Sequence, residues 1–265
     1  MTGAAGPPPG PAAPTCRGTD RSRIARTAGS VWRRGRGRRT MESGGTSGRS
    51  GATGRIHAMA EIVRRVRSVQ ELESLYDAPS SRALAKELTE LSQHYRAFVE
   101  KAPFVLVATS GAEGLDCSPR GDAPGFVRVV DSRTLILPDR RGNNRLDTLR
   151  NLVDDDRVSL LFLIPGVGET LRVNGRAALE ADPDVCAAHA VQGKVPRTLL
   201  VVTIDRVYFQ CQKALVRSRL WDPDSRVARS ELPTAGQMAE QVTGGEVDGA
   251  AYDRDYPEHM KRTIY

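Results

Sequence analysis

Apolar positions change their spacing along this chain. Between Arg82 and Lys101 they fall at Leu84, Leu88, Leu91, Tyr95 and Phe98, an interval that puts successive side chains on one helical face. Ahead of them, Ser68 and Glu71 form an S-x-x-E capping box before "ELESLY", which predicts the start of another helix. From Phe104 the apolar residues gather instead into short runs. These are "FVLVATS" (Phe104–Ser110), "FVRVV" (Phe126–Val130), "TLILPD" (Thr134–Asp139), "RVSLLFLI" (Arg157–Ile164), "ETLRVNGRAAL" (Glu169–Leu179) and "TLLVVTIDRVYFQC" (Thr198–Cys211). Rich in Val, Leu and Ile and bounded mostly by Gly, Asp and Pro, they are predicted to be strands.

The gaps between the runs bear on topology. Three residues separate the second run from the third, and four separate the fourth from the fifth. Such gaps suit antiparallel hairpins and leave no room for a parallel crossover. The expected architecture is therefore mainly β (α+β), an antiparallel barrel or sandwich with flanking helices. One helix should follow "RGNNR", and Asp182-Pro183 should open another, with Asp as N-cap and Pro at the first helical position. "TAGQMAEQV" (Thr234–Val242) predicts a short helix before Gly244-Gly245. Beyond it, Tyr252, Tyr256 and Tyr265 are expected to pack on the barrel or on a partner chain, with no chemistry assigned to them.

Composition divides the chain into regions. With 265 residues, 39% of them hydrophobic, it can bury a core of ordinary size. Residues 1–57, however, hold eleven Arg, two acidic residues, twelve Gly and five Pro. Such a segment cannot bury enough apolar surface to offset its chain entropy, so a disordered arm is expected there. A barrel domain with N-terminal helices over 59–221 and a helical extension over 222–265 follow it. The arm carries +9, from eleven basic and two acidic residues, and the remainder −2, from 28 and 30, which together give the net +7 of the whole chain. "WRRGRGRR" (Trp32–Arg39) could bind nucleic acid through nonspecific phosphate contacts. It fits equally a solvated extension, or a start assigned upstream of Met41 or Met59.

Several function classes lose support. No apolar run is long enough to span a bilayer. Cys16, Cys117, Cys186 and Cys211 stand far apart with no C-x-x-C pair, and the four histidines are scattered. Neither a zinc site nor a disulfide framework is indicated, and a cytoplasmic, metal-free protein is expected.

One turn carries most of the candidate chemistry. "DRRGNNRLDTLRNL" (Asp139–Leu152) places three arginines at the front of a helix whose apolar face would be Leu146, Leu149, Leu152 and Val153. Cations beside a helix N-terminus oppose its dipole, so an anion is expected to join them. Gly142 permits an unusual backbone turn, Asn143 or Asn144 can cap the helix, and the free backbone N–H groups point at whatever occupies the loop. Arg140, Arg141 and Arg145 add guanidinium groups, which suit phosphate oxygens. The loop lacks the G-x-x-x-x-G-K-[ST] spacing of a Walker loop.

The stretch Ser118–Ala177, with "SPRGD", "PGFV", "RGNNR" and "LFLIPG" in order, followed by "QKALVRSRLW" (Gln212–Trp221), resembles the pyridoxamine 5′-phosphate oxidase-like flavoproteins. Within them it is most similar to an uncharacterised bacterial branch. The resemblance covers about Val69 to Trp221. It implies a six-stranded antiparallel split barrel, a homodimer and one FMN at each end of the subunit interface. By position, Gly142, Asn143, Asn144 and Arg145 match the turn that holds the FMN phosphate, and Arg145 does so rather than Arg140 or Arg141. Leu135 to Pro138, including Leu137, would run beside the isoalloxazine ring. Arg120, Gly121 and Asp122 fall near the segment that meets the ring and ribityl chain. Thr170 and Arg172 lie on the strand that reaches across the dimer, and Arg217 and Arg219 match the C-terminal arginines that approach flavin or substrate. Read alone, Gly121-Asp122 also fits an ordinary turn, Thr170 and Arg172 a solvent-facing strand edge, and Arg217 and Arg219 a charged helix face.

What the resemblance implies about activity is an FMN-dependent oxidoreductase acting on a small molecule. The chain reads Arg217-Ser218-Arg219 where pyridoxamine phosphate oxidases carry Arg-x-His, which argues against that substrate. A flavin-binding sensor or carrier without turnover and a nucleic-acid-binding barrel that uses the basic arm remain as alternatives.

Overall fold

Antiparallel pairing organises the sheet throughout. The computed structural model describes residues 65–265, so the arm expected over 1–57 lies outside the described residues. The chain divides into Met1–Arg67 and Ser68–Tyr265, and all the elements named below belong to the second unit. Three short helices lead in: α1 (Val69–Glu73), α2 (Ser81–Ala85) and α3 (Gln93–Lys101). Then come β1 (Phe104–Gly111), β2 (Gly114–Gly121), β3 (Arg128–Val129), β4 (Thr134–Pro138), α4 (Asp147–Asp154), β5 (Arg157–Leu163), β6 (Thr170–Glu180), α5 (Pro183–Ala187) and β7 (Leu199–Gln210). The chain finishes with α6 (Lys213–Ser218), two 3₁₀ turns, α7 (Ala235–Val242) and α8 (Gly249–Thr263).

The strands form one sheet in the order β2-β1-β5-β6-β7-β4-β3. Buried side chains from β1 (Val105, Val107), β5 (Leu160, Phe162), β6 (Leu171, Val173), β7 (Val202, Ile204) and β4 (Leu135, Leu137) join a single core with Leu91 and Val99. Strands near the two ends of the order can share one core only if the sheet curls, which is the geometry of a split barrel. A register shift in β6 at Asn174/Gly175 supplies part of the bend. A Cβ on Gly175 would collide with the carbonyl oxygen of Thr203, so only glycine fits that crossing.

Four expectations change. There are seven strands rather than six, because "GLDCSPRG" forms β2 and pairs with β1 across a tight turn at Gly111–Gly114. Its alternation of half-buried Asp116, Ser118 and Arg120 carries no apolar signal, since these positions are polar and two of them, Asp116 and Arg120, bond Thr148 of α4. "FVRVV" yields only a two-residue strand, although Phe126 and Val127 are buried. The helix expected over Arg82–Lys101 is broken in the middle. Leu88 bridges Val207 through backbone hydrogen bonds of 3.0 and 2.8 Å, and Ser92 starts a fresh helix by accepting from the Tyr95 N–H. Finally, α4 buries Thr148, Asn151 and Leu152, whereas Val153 is 75% exposed. The helix fills the barrel end with polar groups: the Asn151 amide donates to Thr109 Oγ1 at 3.2 Å.

Capping at Ser68 and at Asp182 follows the sequence. The Ser68 hydroxyl accepts from the Glu71 N–H, and the Asp182 carboxylate accepts from the Asp184 and Val185 N–H groups ahead of Pro183. Among the described residues, no helix is long and apolar enough to cross a membrane, and no group of three or more His, Cys, Asp or Glu is placed to hold a metal ion.

Candidate functional site

The end of β4 and the start of α4 sit beside the end of β2, and a cleft of about 1100 Å³ opens between them. One wall is the turn Asp139–Leu146. The second is the end of β2 from Pro119 to Asp122, and the third is the loop Gly193–Thr198 that leads into β7. The third wall is bolted to the first. The Asp139 N–H donates to the Thr198 carbonyl at 3.0 Å, and Arg140 Nη1 donates to the His189 carbonyl at 2.7 Å.

The turn adopts a conformation other than the expected one. Asn144, not Gly142, takes the left-handed backbone, with φ 60°, a region that Asn tolerates better than most residues. Neither Asn143 nor Asn144 caps α4. Asn143 Oδ1 accepts from the Arg145 N–H at 3.0 Å, which closes a local turn before the helix begins. The N-cap position falls to Leu146, which has no side-chain acceptor. The first-turn N–H groups of α4 are thereby left for another acceptor, at the positive end of the helix dipole and beside the cleft.

Electrostatics point the same way. Arg120, Arg140, Arg141, Arg145, Lys194 and Arg197 line the cleft with only Asp122 and Asp139, six cations against two carboxylates, or +4. Among the described residues no carboxylate pairs with Arg141, Lys194 or Arg197. Arg145 pairs with Asp147 at 2.7 Å, but its side chain is 77% exposed, and such a pair is worth under about 1 kcal/mol and exchanges readily. Arg140 is the buried guanidinium, 2.8 Å from Asp122, whose side chain is 3% exposed.

Both carboxylates are tuned by their surroundings. Burial by itself would raise the pKa of Asp122, but hydrogen bonds from the Tyr265 hydroxyl, the Ala123 N–H and Arg140, with the charge of Arg140, hold it below the ordinary carboxylate value. Asp139 moves upward through burial, which Arg120 offsets only in part. The Tyr265 hydroxyl donates to Asp122 Oδ1 at 2.7 Å, and this bond chiefly raises its own pKa. Thr198 adds an orphan: its hydroxyl oxygen is buried at the cleft with no hydrogen-bond partner, a condition that costs about 1–3 kcal/mol until a partner arrives.

The sequence-derived residues therefore separate into two groups. Arg120, Gly121, Asp122, Pro138, Gly142, Asn143, Asn144 and Arg145 all line the cleft. Leu137 is fully buried and faces the core. Thr170 and Arg172 do not line this cleft. They lie on β6 between β5 and β7, so they are not on a strand edge, and Arg172 donates to the Tyr208 hydroxyl at 3.1 Å. Arg217 and Arg219 stay on exposed α6, where Arg219 caps the helix with φ 52° and pairs with Asp222 at 2.6 Å. Tyr265 packs on the barrel as expected, through its bond to Asp122, whereas the structural role of Arg140 and the contributions of Lys194, Arg197 and Thr198 are additions. "GKVPRT" held a legible sign of the loop, two cations beside Gly and Pro ahead of a strand, whereas nothing local marks the partner of Tyr265.

Comparison with known proteins agrees with this architecture. The family model described as pyridoxamine 5′-phosphate oxidase matches residues 91–211. Over that segment, 121 of the 265 residues, the chain is similar to the pyridoxamine 5′-phosphate oxidase-like family. No curated protein matches the chain. Among solved structures, HupZ of Group A Streptococcus is 17% identical, with 44% of this chain and 91% of that one covered and a TM-score of 0.36. A relative of general stress protein 26 from Clostridium acetobutylicum, of the pyridoxinephosphate oxidase family, is 16% identical, with 44% and 86% covered and a TM-score of 0.36. An F420 reductase is 16% identical, with 45% and 98% covered and a TM-score of 0.34. Likenesses of this size do not carry an activity from one chain to another.

Proposed function

We propose that this chain is a flavoprotein that holds FMN with its phosphate against the turn Gly142–Arg145, and that it serves as an FMN-dependent oxidoreductase for a small molecule. The observation that carries this reading is the uncapped N-terminus of α4, which opens into a cleft of net +4. An anion there would accept from the first-turn N–H groups and from Arg145. When bound, flavin accepts or donates hydride. The chain's part is to orient it: Pro138 ends the strand beside the cleft, Arg120 presents a cation where the ring and ribityl chain would pass, and Asp122, enclosed by Arg140 and Tyr265, holds that wall in place.

A second copy of the chain completes this proposal. Along the outer face of the sheet, Phe104 pairs across to Leu163 and Leu106 to Leu161, an apolar row that a partner subunit would cover. Thr170 and Arg172, absent from their own cleft, would then serve the partner's. Analytical ultracentrifugation should show a dimer, and a monomer that holds a full complement of flavin would remove the shared-site arrangement.

Flavin titration tests the cradle. Arg145→Ala should weaken FMN binding about tenfold or more, the worth of a charge-assisted contact. Asn144→Gly keeps the left-handed backbone and removes only the amide, so it reports the side chain without the strain that Ala would add. Unchanged FMN affinity in both variants would return the turn to an ordinary charged loop.

A further inference from the structure

A second chamber, of about 730 Å³, lies on the far side of the same turn. Arg141, Gly142, Asn143 and Ile264 line both this chamber and the cleft, so the two spaces meet along the residues expected to hold a phosphate. Its other wall is α8, outside the family-matched segment. There Tyr252, Tyr256 and His259 follow at intervals of four and three, on one helical face. The Tyr252 and Tyr256 rings stack at 5.4 Å and 13°, His259 lies 6.3 Å from Tyr256, and each tyrosine remains 39% exposed.

Charge narrows what could fit. Arg141 and Arg262 flank the aromatic face, and among the described residues neither has a carboxylate partner. The chamber's own carboxylate, Asp255, pairs with Arg254 at 3.0 Å on the open surface, and two cations against this one carboxylate leave the chamber at +1. Exposed aromatic faces favour a planar ring by stacking, and unpaired guanidinium groups favour phosphate. A ring that carries a phosphate, set in a space continuous with another phosphate site, is one nucleotide joined to another.

We propose that the α8 chamber binds the adenylyl half of a flavin dinucleotide, with the adenine ring against Tyr252 and Tyr256 and its phosphate between Arg141 and Arg262. This rests on the flavin reading of the cleft and extends the cofactor past its first phosphate. A separate AMP-sized ligand or a non-aromatic anionic tail would use only part of this chemistry.

The test titrates the full-length, flavin-free protein with FMN and with FAD, followed by flavin fluorescence. FAD should bind about tenfold more tightly than FMN, as stacking of one base on an aromatic side chain implies. The double variant Tyr252→Ala/Tyr256→Ala should erase that preference and leave FMN affinity within twofold, which also shows that the cleft is intact. Should the double variant disturb FMN binding, Arg262→Ala decides the matter, because it alters one exposed side chain and should still reduce FAD affinity selectively. Equal affinity for FMN and FAD overturns the dinucleotide proposal while the flavin reading stands, as does a preference for FAD that survives these variants. Failure to bind either flavin overturns both.

Discussion

The barrel and the C-terminal helical hairpin meet at one cleft, yet they are held together by different means. In the barrel, β1, β5, β6, β7 and β4 are each paired on both sides, and large aliphatic side chains such as Leu135, Leu137, Leu160 and Leu200 are fully buried. In the hairpin, the buried residues of α7 and α8 are Gly236 and Gly249, which contribute almost no hydrophobic burial. A helix pair with so little buried apolar surface takes its order from close backbone approach and a few polar contacts. The barrel side of the cleft is thus rigid, and the α8 side belongs to the low-stability end of the molecule, where binding elements that must admit a ligand are commonly found.

The sharpest way to break the barrel side is at its buried ion pair. Asp122→Ala leaves Arg140 without its partner at a site where both side chains are largely enclosed, and removing one member of such a pair costs about 3–5 kcal/mol. Urea unfolding should show that loss, and a change below about 1 kcal/mol would mean that water or another group satisfies Arg140. By contrast, Tyr265→Phe removes a single hydrogen bond to the same carboxylate and should cost about 1–2 kcal/mol at most, chiefly as weaker docking of the end of α8.

Gly236→Ala tests the hairpin separately. A Cβ there would collide with the Gly249 carbonyl oxygen and press on the Asp253 carboxylate, which accepts from the Gly236 N–H at 2.8 Å. Overpacking at a contact of this kind costs about 1–3 kcal/mol. Hydrogen exchange should speed up over residues 235–263 and stay unchanged in β5, β6 and β7. Uniform loss of protection across the strands would show that the two regions unfold as one and would end the contrast drawn between them.

The same contrast explains what could be read from sequence. Strands announce themselves by apolar alternation that matches one buried face, so β1, β4, β5, β6 and β7 were legible almost to their ends. β2 was not, because its inward positions are polar: Asp116 and Arg120 bond Thr148 of α4, and Ser118 donates to Asp116. The turn Asp139–Leu146 was legible as a cluster of cations ahead of a helix, but not as conformation. Whether Asn143 caps the helix or closes a local turn on Arg145 differs by one residue of backbone geometry, which residue type does not settle. That Tyr265 packs on the barrel was legible, but not its partner, because Asp122 is 143 residues away and no local pattern encodes a contact of that range.

The smallest effect should come from pH, and it again sets one wall of the cleft against the other. His189 is buried, and burial first, then the charges of Arg128 and Arg140, push its pKa below 6.5. The unfolded chain therefore binds a proton at this residue more readily than the fold does. Its contribution to stability is present above about pH 6.5 and is lost as pH falls through the depressed folded value. Asp122, also depressed, loses its contribution only as pH falls below 3.8, and Asp139, raised, loses its own as pH climbs above 3.8. Between pH 7.5 and 5.5, His189, next to the cleft wall through its carbonyl's bond from Arg140, is expected to lower stability as it charges. Unfolding midpoints should fall across that interval in the natural chain and fall less in His189→Gln. Because the His189 carbonyl receives Arg140, protonation should loosen the barrel wall that carries the buried pair and leave hydrogen exchange of α7 and α8 unchanged. Equal pH slopes in the two proteins would place the acid sensitivity elsewhere, and a slope confined to the hairpin would reverse the assignment of which side of the cleft is rigid.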